Sequence, residues 1–515
     1  MERRNFICSS LGALAAIPLA GVPFKSPLDL KNLFREEFPL CGIDPQSVKL
    51  NLKPIMTNMI HSGVWEGPCR NNVVTVEEET QRVNNSFNSW CESIRQQGST
   101  FDVKYVNLLE PSQVIFNEDF KLYPDQFNKI DADALKTDAF LINPEGASIP
   151  TFRIAEKFGK PVISAWGLNC RTVDIAAYTR SHGFEMFVPN DPQEMKMVLA
   201  SLRARKILSQ TRILYPTEWG WPSVASITGI NEPGKLKERF GIDLVTISYE
   251  KLGAMMEMMT GSPEAQKEAE TLAEILIDNA DHSWLDRKYI IKSLVFYESI
   301  IRLLKENQCN AFTIECFEFC SSQLPEKWEV VPCLIHTLLK DQGIPSACEG
   351  DFAALIGMEL LMSLSGKSPH LGNMFMEKDE SLQVNHSVPG TRMNGFDQPQ
   401  LQYQLGRFVE SGWGTKVTVD FMNNEEKKVT VIRINPEASR MLVLKGKLVG
   451  SWGYGEDLLS CSVSAFIVGQ NSGKAREFIE KQIDYGNHLV WVYGDYTEEL
   501  KQLSEMLKLD MEIIS

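Results

Sequence analysis

The chain of 515 residues is poor in positive charge, with 52 Lys and Arg against 67 Asp and Glu and a formal charge of −15. That balance leaves no basic footprint for nucleic acid or an anionic membrane surface, so the ligands that fit are small and uncharged or cation-assisted. Its eleven cysteines include no C-x-x-C pair and no regular spacing, which indicates neither a zinc knuckle nor a disulfide scaffold. They read as buried small hydrophobes. No G-x-G-x-x-G occurs, which counts against a dinucleotide cofactor. No run beyond the N-terminus is long and apolar enough to cross a bilayer, and no internal repeat of fixed period is evident.

What is present begins with "MERRNFICSSLGALAAIPLAG", in which Arg3 and Arg4 precede Phe6, Ile7 and a short stretch of apolar and small residues. Residues 1–22 read as a twin-arginine-type export signal, which carries folded proteins to the periplasm. The alternative is an ordinary amphipathic first helix on a cytoplasmic protein. A chain folded and reduced before export would tolerate its free cysteines.

With 43% hydrophobic and 23% charged residues the chain is globular, and its length suits roughly three domains. "TDAFLINPEG" and "KPVISAWGL" are short apolar runs closed by Pro or Gly, with the helical pattern "SIPTFRIAEKFG" between them. Such strand-helix-strand units predict a doubly wound α/β domain over residues 48–205. "RILYPTE", "IDLVTISYE" and "CNAFTIECFEF", with long helices over Pro263 to Ala280 and Leu285 to Asn307, predict a second Rossmann-like domain over 206–370. From 371 to 515, closely spaced strands such as "TKVTVDFMNN" and "KKVTVIRINPEA" predict a β-rich, barrel-like domain with a terminal helix.

The chemistry concentrates in "IPSACEGDFAALIGM". Phe352, Leu355, Met358 and Met362 recur at helical spacing, so Glu349 and Asp351 stand at a helix N-terminus, where capping alone explains a carboxylate. Glu315 and Glu318 lie at the C-terminal end of a predicted strand, the edge where open parallel sheets place ligand sites. Carboxylates delivered from adjacent strand ends make an oxygen-rich pocket suited to Mn²⁺ or Mg²⁺. Among seven histidines, His488 starts a strand after Gly486-Asn487, and His386 sits before Pro389 and Gly390. In "PTEWGWP", Trp219 and Trp221 offer aromatic faces for the C–H face of a sugar, though interdomain packing would use them equally.

The segments "ACEGDFAALIGMELLMSLSGKSP", "GNHLVWVYGDYTEELKQLSEMLKLDME" and "LKERFGIDLVTISYEKL" resemble the L-fucose isomerase and L-arabinose isomerase superfamily over roughly residues 210 to 515. The resemblance implies two Rossmann-like domains followed by a β-rich one, an oligomer, and interconversion of an aldose and a ketose through a metal-stabilised enediol. Carried over by position, it implies Glu318 and Asp351 as catalytic carboxylates that, with His488, hold Mn²⁺ (or Mg²⁺). Glu315 is the alternative to Glu318, and His386 corresponds to a family histidine near the substrate. A non-catalytic exported carbohydrate-binding relative is the other reading.

Overall fold

The computed structural model describes residues 45–60, 75–97, 101–102, 104–116, 124–145, 148–220, 225–230 and 232–515. The expected export signal and Trp221 lie outside the described residues. Among the described residues no helix is long and apolar enough to cross a membrane.

Two parallel sheets come first. Strands β1 (Leu50–Met59), β2 (Val106–Leu108), β3 (Ser112–Phe116), β4 (Ala139–Asn143), β5 (Val162–Ser164) and β6 (Met186–Phe187) form one, in the order β2-β1-β4-β5-β6 with β3 also paired to β1. All its pairings are parallel. The helix Ile149–Phe158 crosses between β4 and β5, as the apolar runs closed by Pro and Gly suggest, and ends on Gly159 in the left-handed conformation. In β4 every residue is buried, the mark of a strand covered on both faces.

The second parallel sheet comprises β7 (Arg212–Pro216), β8 (Asp243–Ile247), β10 (Ala311–Ile314) and β11 (Ser346–Cys348), in the order β11-β10-β7-β8. The short β9 (His282–Ser283) leaves this unit and pairs elsewhere. After β11 runs the helix Phe352–Ser365, buried throughout its first eleven residues. A helix that is apolar on all sides needs cover on all sides. It packs in one core with Tyr215 of the sheet and with Ile432 and Val490 of the C-terminal domain, and Gly357 lets Ile432 approach so closely that a Cβ there would lie 3.3 Å from Ile432 Cδ1.

The C-terminal domain is a closed antiparallel barrel of β12 (His370–Met376), β13 (Leu382–His386), β16 (Lys428–Ile434), β17 (Arg440–Trp452), β18 (Val463–Gly469) and β19 (Leu489–Tyr493). Its order is β16-β19-β12-β13-β18-β17, and pairing of β17 back onto β16 closes it, removing the exposed edges. Strand β20 (Asp510–Ile514) adds to β17 in parallel. The alternating segment "TKVTV", β15 (Thr415–Val419), stays out of the barrel. It pairs with β14 (Tyr403–Arg407), which in turn pairs with β9, making a three-stranded sheet. All five of its residues are buried, and Thr415 Oγ1 lies 2.9 Å from Ser293 Oγ on the helix Arg287–Glu306. Burial on both faces, rather than the half-buried surface that alternation suggests, decided its placement.

Candidate functional site

The C-terminal ends of β7, β10 and β11 open toward one end of the barrel. In parallel register Ile314 pairs with Cys348, so the residues that follow, Glu315 on one strand and Glu349 on the next, leave the sheet side by side. On the barrel, Gly372 pairs with Leu489 while Asn373 pairs with Asn385. That register brings His386, at the end of β13, level with the start of β19, where His488 stands. The two imidazole rings are 5.7 Å apart, centroid to centroid.

Glu349 joins them. Its Oε1 lies 3.2 Å from His386 Nε2 and its Oε2 3.1 Å from His488 Nε2. Both histidines are 1% exposed, so this partly exposed carboxylate is shared by two buried imidazoles. Burial alone would raise the Glu349 pKa, but its contacts with His386 and His488 outweigh that and hold the carboxyl well below its usual range. Burial works in the opposite sense on His386, yet Cys461 and Glu349 raise its pKa. His488 is likewise raised against its burial, by Asp351 and Glu349. Positive charge is favoured at this place.

The backbone is specialised here as well. Glu349 and Gly350 follow one another in the left-handed region, φ 62° and 65°, and His488 has φ 66°. For residues with a Cβ this conformation costs on the order of 1–2 kcal/mol, and such outliers concentrate at functional sites.

Asp351 divides its two oxygens between two duties. Oδ1 accepts from Ala354 N–H at 2.9 Å and caps the helix, as its position in the sequence suggests. Oδ2 accepts from Arg433 Nη1 at 2.7 Å and from His488 Nδ1 at 3.0 Å. An ionised carboxylate has no proton to give, so His488 Nδ1 carries the hydrogen, and Nε2 is the nitrogen turned toward Glu349, the one whose lone pair a bound cation would take in place of a proton. Burial opposes ionisation of Asp351, and Arg433 and His488 overcome it, leaving the pKa below its ordinary value. Arg433 also donates to His488 O, Tyr485 O and Thr228 O, so its fork is fully used. Gly229 permits this closeness, because a Cβ there would meet Asp351 Oδ1 at 2.9 Å.

Glu318 has different partners. Its carboxylate accepts from Thr217 Oγ1 at 2.8 Å, from Trp219 N–H at 2.6 Å and from Glu218 N–H, bracing the loop after β7. Glu315, 1% exposed, caps the short helix Cys316–Ser321 through Glu318 N–H and also accepts from Ala225 N–H at 3.3 Å. Burial raises the Glu315 pKa, and the charge of Glu349 adds to the effect. The structure therefore brings Asp351 and His488 into contact and adds Glu349 and His386 to them, while Glu318 points its oxygens into the 217–219 loop. Trp219 is half exposed on that loop, 51%.

The donor set suits a divalent cation. Glu349, His386 and the Cys348 thiol present donor atoms within 4.8 Å of one another. His488 Nε2 is buried and turned toward Glu349 Oε2 at 3.1 Å, so its lone pair can join the same donor set. Carboxylate donors suit a hard ion such as Mn²⁺, and imidazole donors add affinity for first-row transition metals.

No protein-family model matches the chain. Over 227 residues it is 24% identical to proteins named sulfoquinovose isomerase from Priestia aryabhattai and Priestia megaterium, covering 44% of this chain and 48% of each relative. That match spans about half the length of those relatives. A sulfoquinovose isomerase from a Clostridium species is 22% identical over 331 residues, 63% of this chain and 70% of the relative. The chain is similar to sugar isomerases.

Two participants carried little signal in the sequence. Glu349 looked sufficiently explained by helix capping, a duty that Asp351 performs alone. Arg433 lies in "KVTVIRI", where a charged side chain between Ile432 and Ile434 was the available clue.

Proposed function

We propose that this protein is an aldose-ketose sugar isomerase whose divalent cation, Mn²⁺ by donor chemistry, is held by Glu349, His386 and His488 with Glu315 beside them. The observation that carries the reading is the Glu349 carboxylate set between two buried imidazole Nε2 atoms at the C-terminal edge of the parallel sheet. Relatives named sulfoquinovose isomerase support the reaction class. When bound, the cation supplies Lewis-acid polarisation of the substrate's carbonyl and hydroxyl oxygens.

The remaining work falls to the chain. Two neighbouring carboxyls have pKa values pushed in opposite directions, Glu315 up and Glu349 down. Separated pKa values assign acid-base roles. Glu349 stays ionised and holds positive charge; Glu315, able to be protonated nearer neutrality, takes the proton from C2 and returns it at C1. Asp351 and Arg433 fix the His488 tautomer. Glu318 keeps the Trp219 loop in place, where an exposed indole can meet the sugar's C–H face. Export through residues 1–22 and a homo-oligomeric assembly are further parts of the proposal, open to N-terminal sequencing and light scattering.

The test is metal content of the purified protein, followed by deuterium wash-in at C2 over a panel of pentoses, 6-deoxyhexoses and sulfoquinovose. Mn²⁺-dependent exchange with at least one sugar is expected. Sugar binding without exchange, in a protein that takes up no metal, would leave a carbohydrate-binding protein instead.

A further inference from the structure

Two of the three groups proposed above to hold the cation, Glu349 and His386, have a thiol beside them, and so does Glu315. Cys316 follows Glu315, Cys348 precedes Glu349, and Cys461 Sγ lies 3.9 Å from His386 Nδ1. Two of these thiols touch: Cys316 Sγ and Cys348 Sγ are 3.1 Å apart, delivered by the ends of β10 and β11 where Ile314 pairs with Cys348. Cys348 is buried, and Cys316 is partly open to solvent.

We infer that Cys316 and Cys348 form an oxidisable pair, closed to a disulfide by exchange with a low-molecular-weight disulfide, and that closure disables the adjacent carboxylate-histidine site. The functional half of this inference rests on the reading of that site given above. Cys316 is the entry thiol because it alone of the pair is reachable. Its thiolate attacks one sulfur of the reagent, whose S–S bond breaks and whose leaving thiolate takes a proton from water. Cys348, giving its proton to water, then attacks Cys316 Sγ and expels the second reagent thiolate, which is protonated in turn. Two protein thiols lose two electrons, and one reagent disulfide becomes two thiols.

A disulfide bond is about 2.0 Å long, so closure draws the two strand ends together by about 1 Å. Glu315 and Glu349 are the immediate chain neighbours of the two cysteines, and Glu349 is held in a left-handed backbone conformation with little room to adjust. A displacement of about 1 Å is enough to spoil a pre-organised site. The pair therefore couples the redox state of the surroundings to the geometry of the site.

The test treats the full-length protein with oxidised glutathione, then maps non-reduced peptides by mass spectrometry and measures Mn²⁺ binding. The expected result is a Cys316–Cys348 cross-linked peptide, with Mn²⁺ affinity lowered about tenfold or more and restored by dithiothreitol. Cys316→Ser is expected to bind Mn²⁺ like the reduced wild type and to ignore the oxidant; Cys316→Ala serves if the serine variant misfolds. Absence of the cross-linked peptide, or its presence with unchanged Mn²⁺ affinity, overturns the inference. Should the reduced protein take up no Mn²⁺, the cation reading fails separately. Amide hydrogen exchange over residues 346–352 then decides, with exchange altered by the bridge in support and unaltered against.

Discussion

Arg433 meets Asp351 across 82 residues of sequence, Nη1 to Oδ2 at 2.7 Å, with both side chains wholly removed from solvent. A buried ion pair is costly to break from one side, because the surviving charge is left without a partner. Arg433→Met is therefore expected to lose about 3–5 kcal/mol of stability, measured by urea denaturation. Arg433→Met combined with Asp351→Asn should be less destabilised than the sum of the single changes. Additive losses would mean that the pair is not coupled.

Glu349 and Glu318 are separated by their partners, and substitution should separate them in function. Glu349→Gln removes the anion between His386 and His488 and is expected to weaken Mn²⁺ binding about a hundredfold or more, with the fold retained. Glu318→Gln keeps the cation but loosens the 217–219 loop, costing about 1–3 kcal/mol for the disturbed hydrogen bonds. Calorimetric titration with Mn²⁺ beside thermal melts distinguishes them; equal loss of affinity in both would return Glu318 to the cation site.

A pH effect on stability is expected from Glu298, on the buried face of the helix Arg287–Glu306. Neither of its carboxyl oxygens has a hydrogen-bond partner among the described residues, and burial pushes its pKa up to about 8 from 4.5. The unfolded chain ionises this group first. Its contribution is thus full below about pH 4.5 and declines as pH rises, until it is lost above about pH 8, on the order of 4 kcal/mol in total. Glu298→Gln should flatten that decline. Denaturation midpoints of both proteins at pH 5 and pH 8.5 give the comparison, and parallel curves would show that Glu298 reaches water or a counter-charge.

Gly229 tests how closely the loop after β7 must approach. A Cβ there would lie 2.9 Å from Asp351 Oδ1 and 3.0 Å from Asp351 Cα. Since both neighbours belong to Asp351, which caps a helix and is ion-paired, Gly229→Ala should cost about 1–3 kcal/mol and lower Mn²⁺ affinity along with it. An unchanged melting temperature would mean that the loop yields instead.

Local pattern made several elements legible. Short apolar runs closed by Pro or Gly became β4 and β5, and the helical spacing after Asp351 became Phe352–Ser365 with Asp351 as its cap. These features depend on neighbours within a few residues, where backbone preference and side-chain period act directly. The placement of β15 was not legible, because alternation in "TKVTV" reports a strand but not which surfaces will cover it.

For the site, sequence by itself determined which chemical groups were at hand: carboxylates after two strands, a histidine at a loop-to-strand corner, and thiols beside them. It also determined that a helix would begin after Glu349 and Asp351, though not which of the two would cap it. Only the tertiary structure decided who meets whom. Parallel register set Glu315 beside Glu349, the pairing of β13 and β19 on either side of β12 carried His386 and His488 to the two oxygens of Glu349, and Arg433 arrived from a strand that nothing in the sequence connects with Asp351. Register and closure are properties of pairings far apart in the chain, and the charge balance of a buried site exists only once those pairings are made.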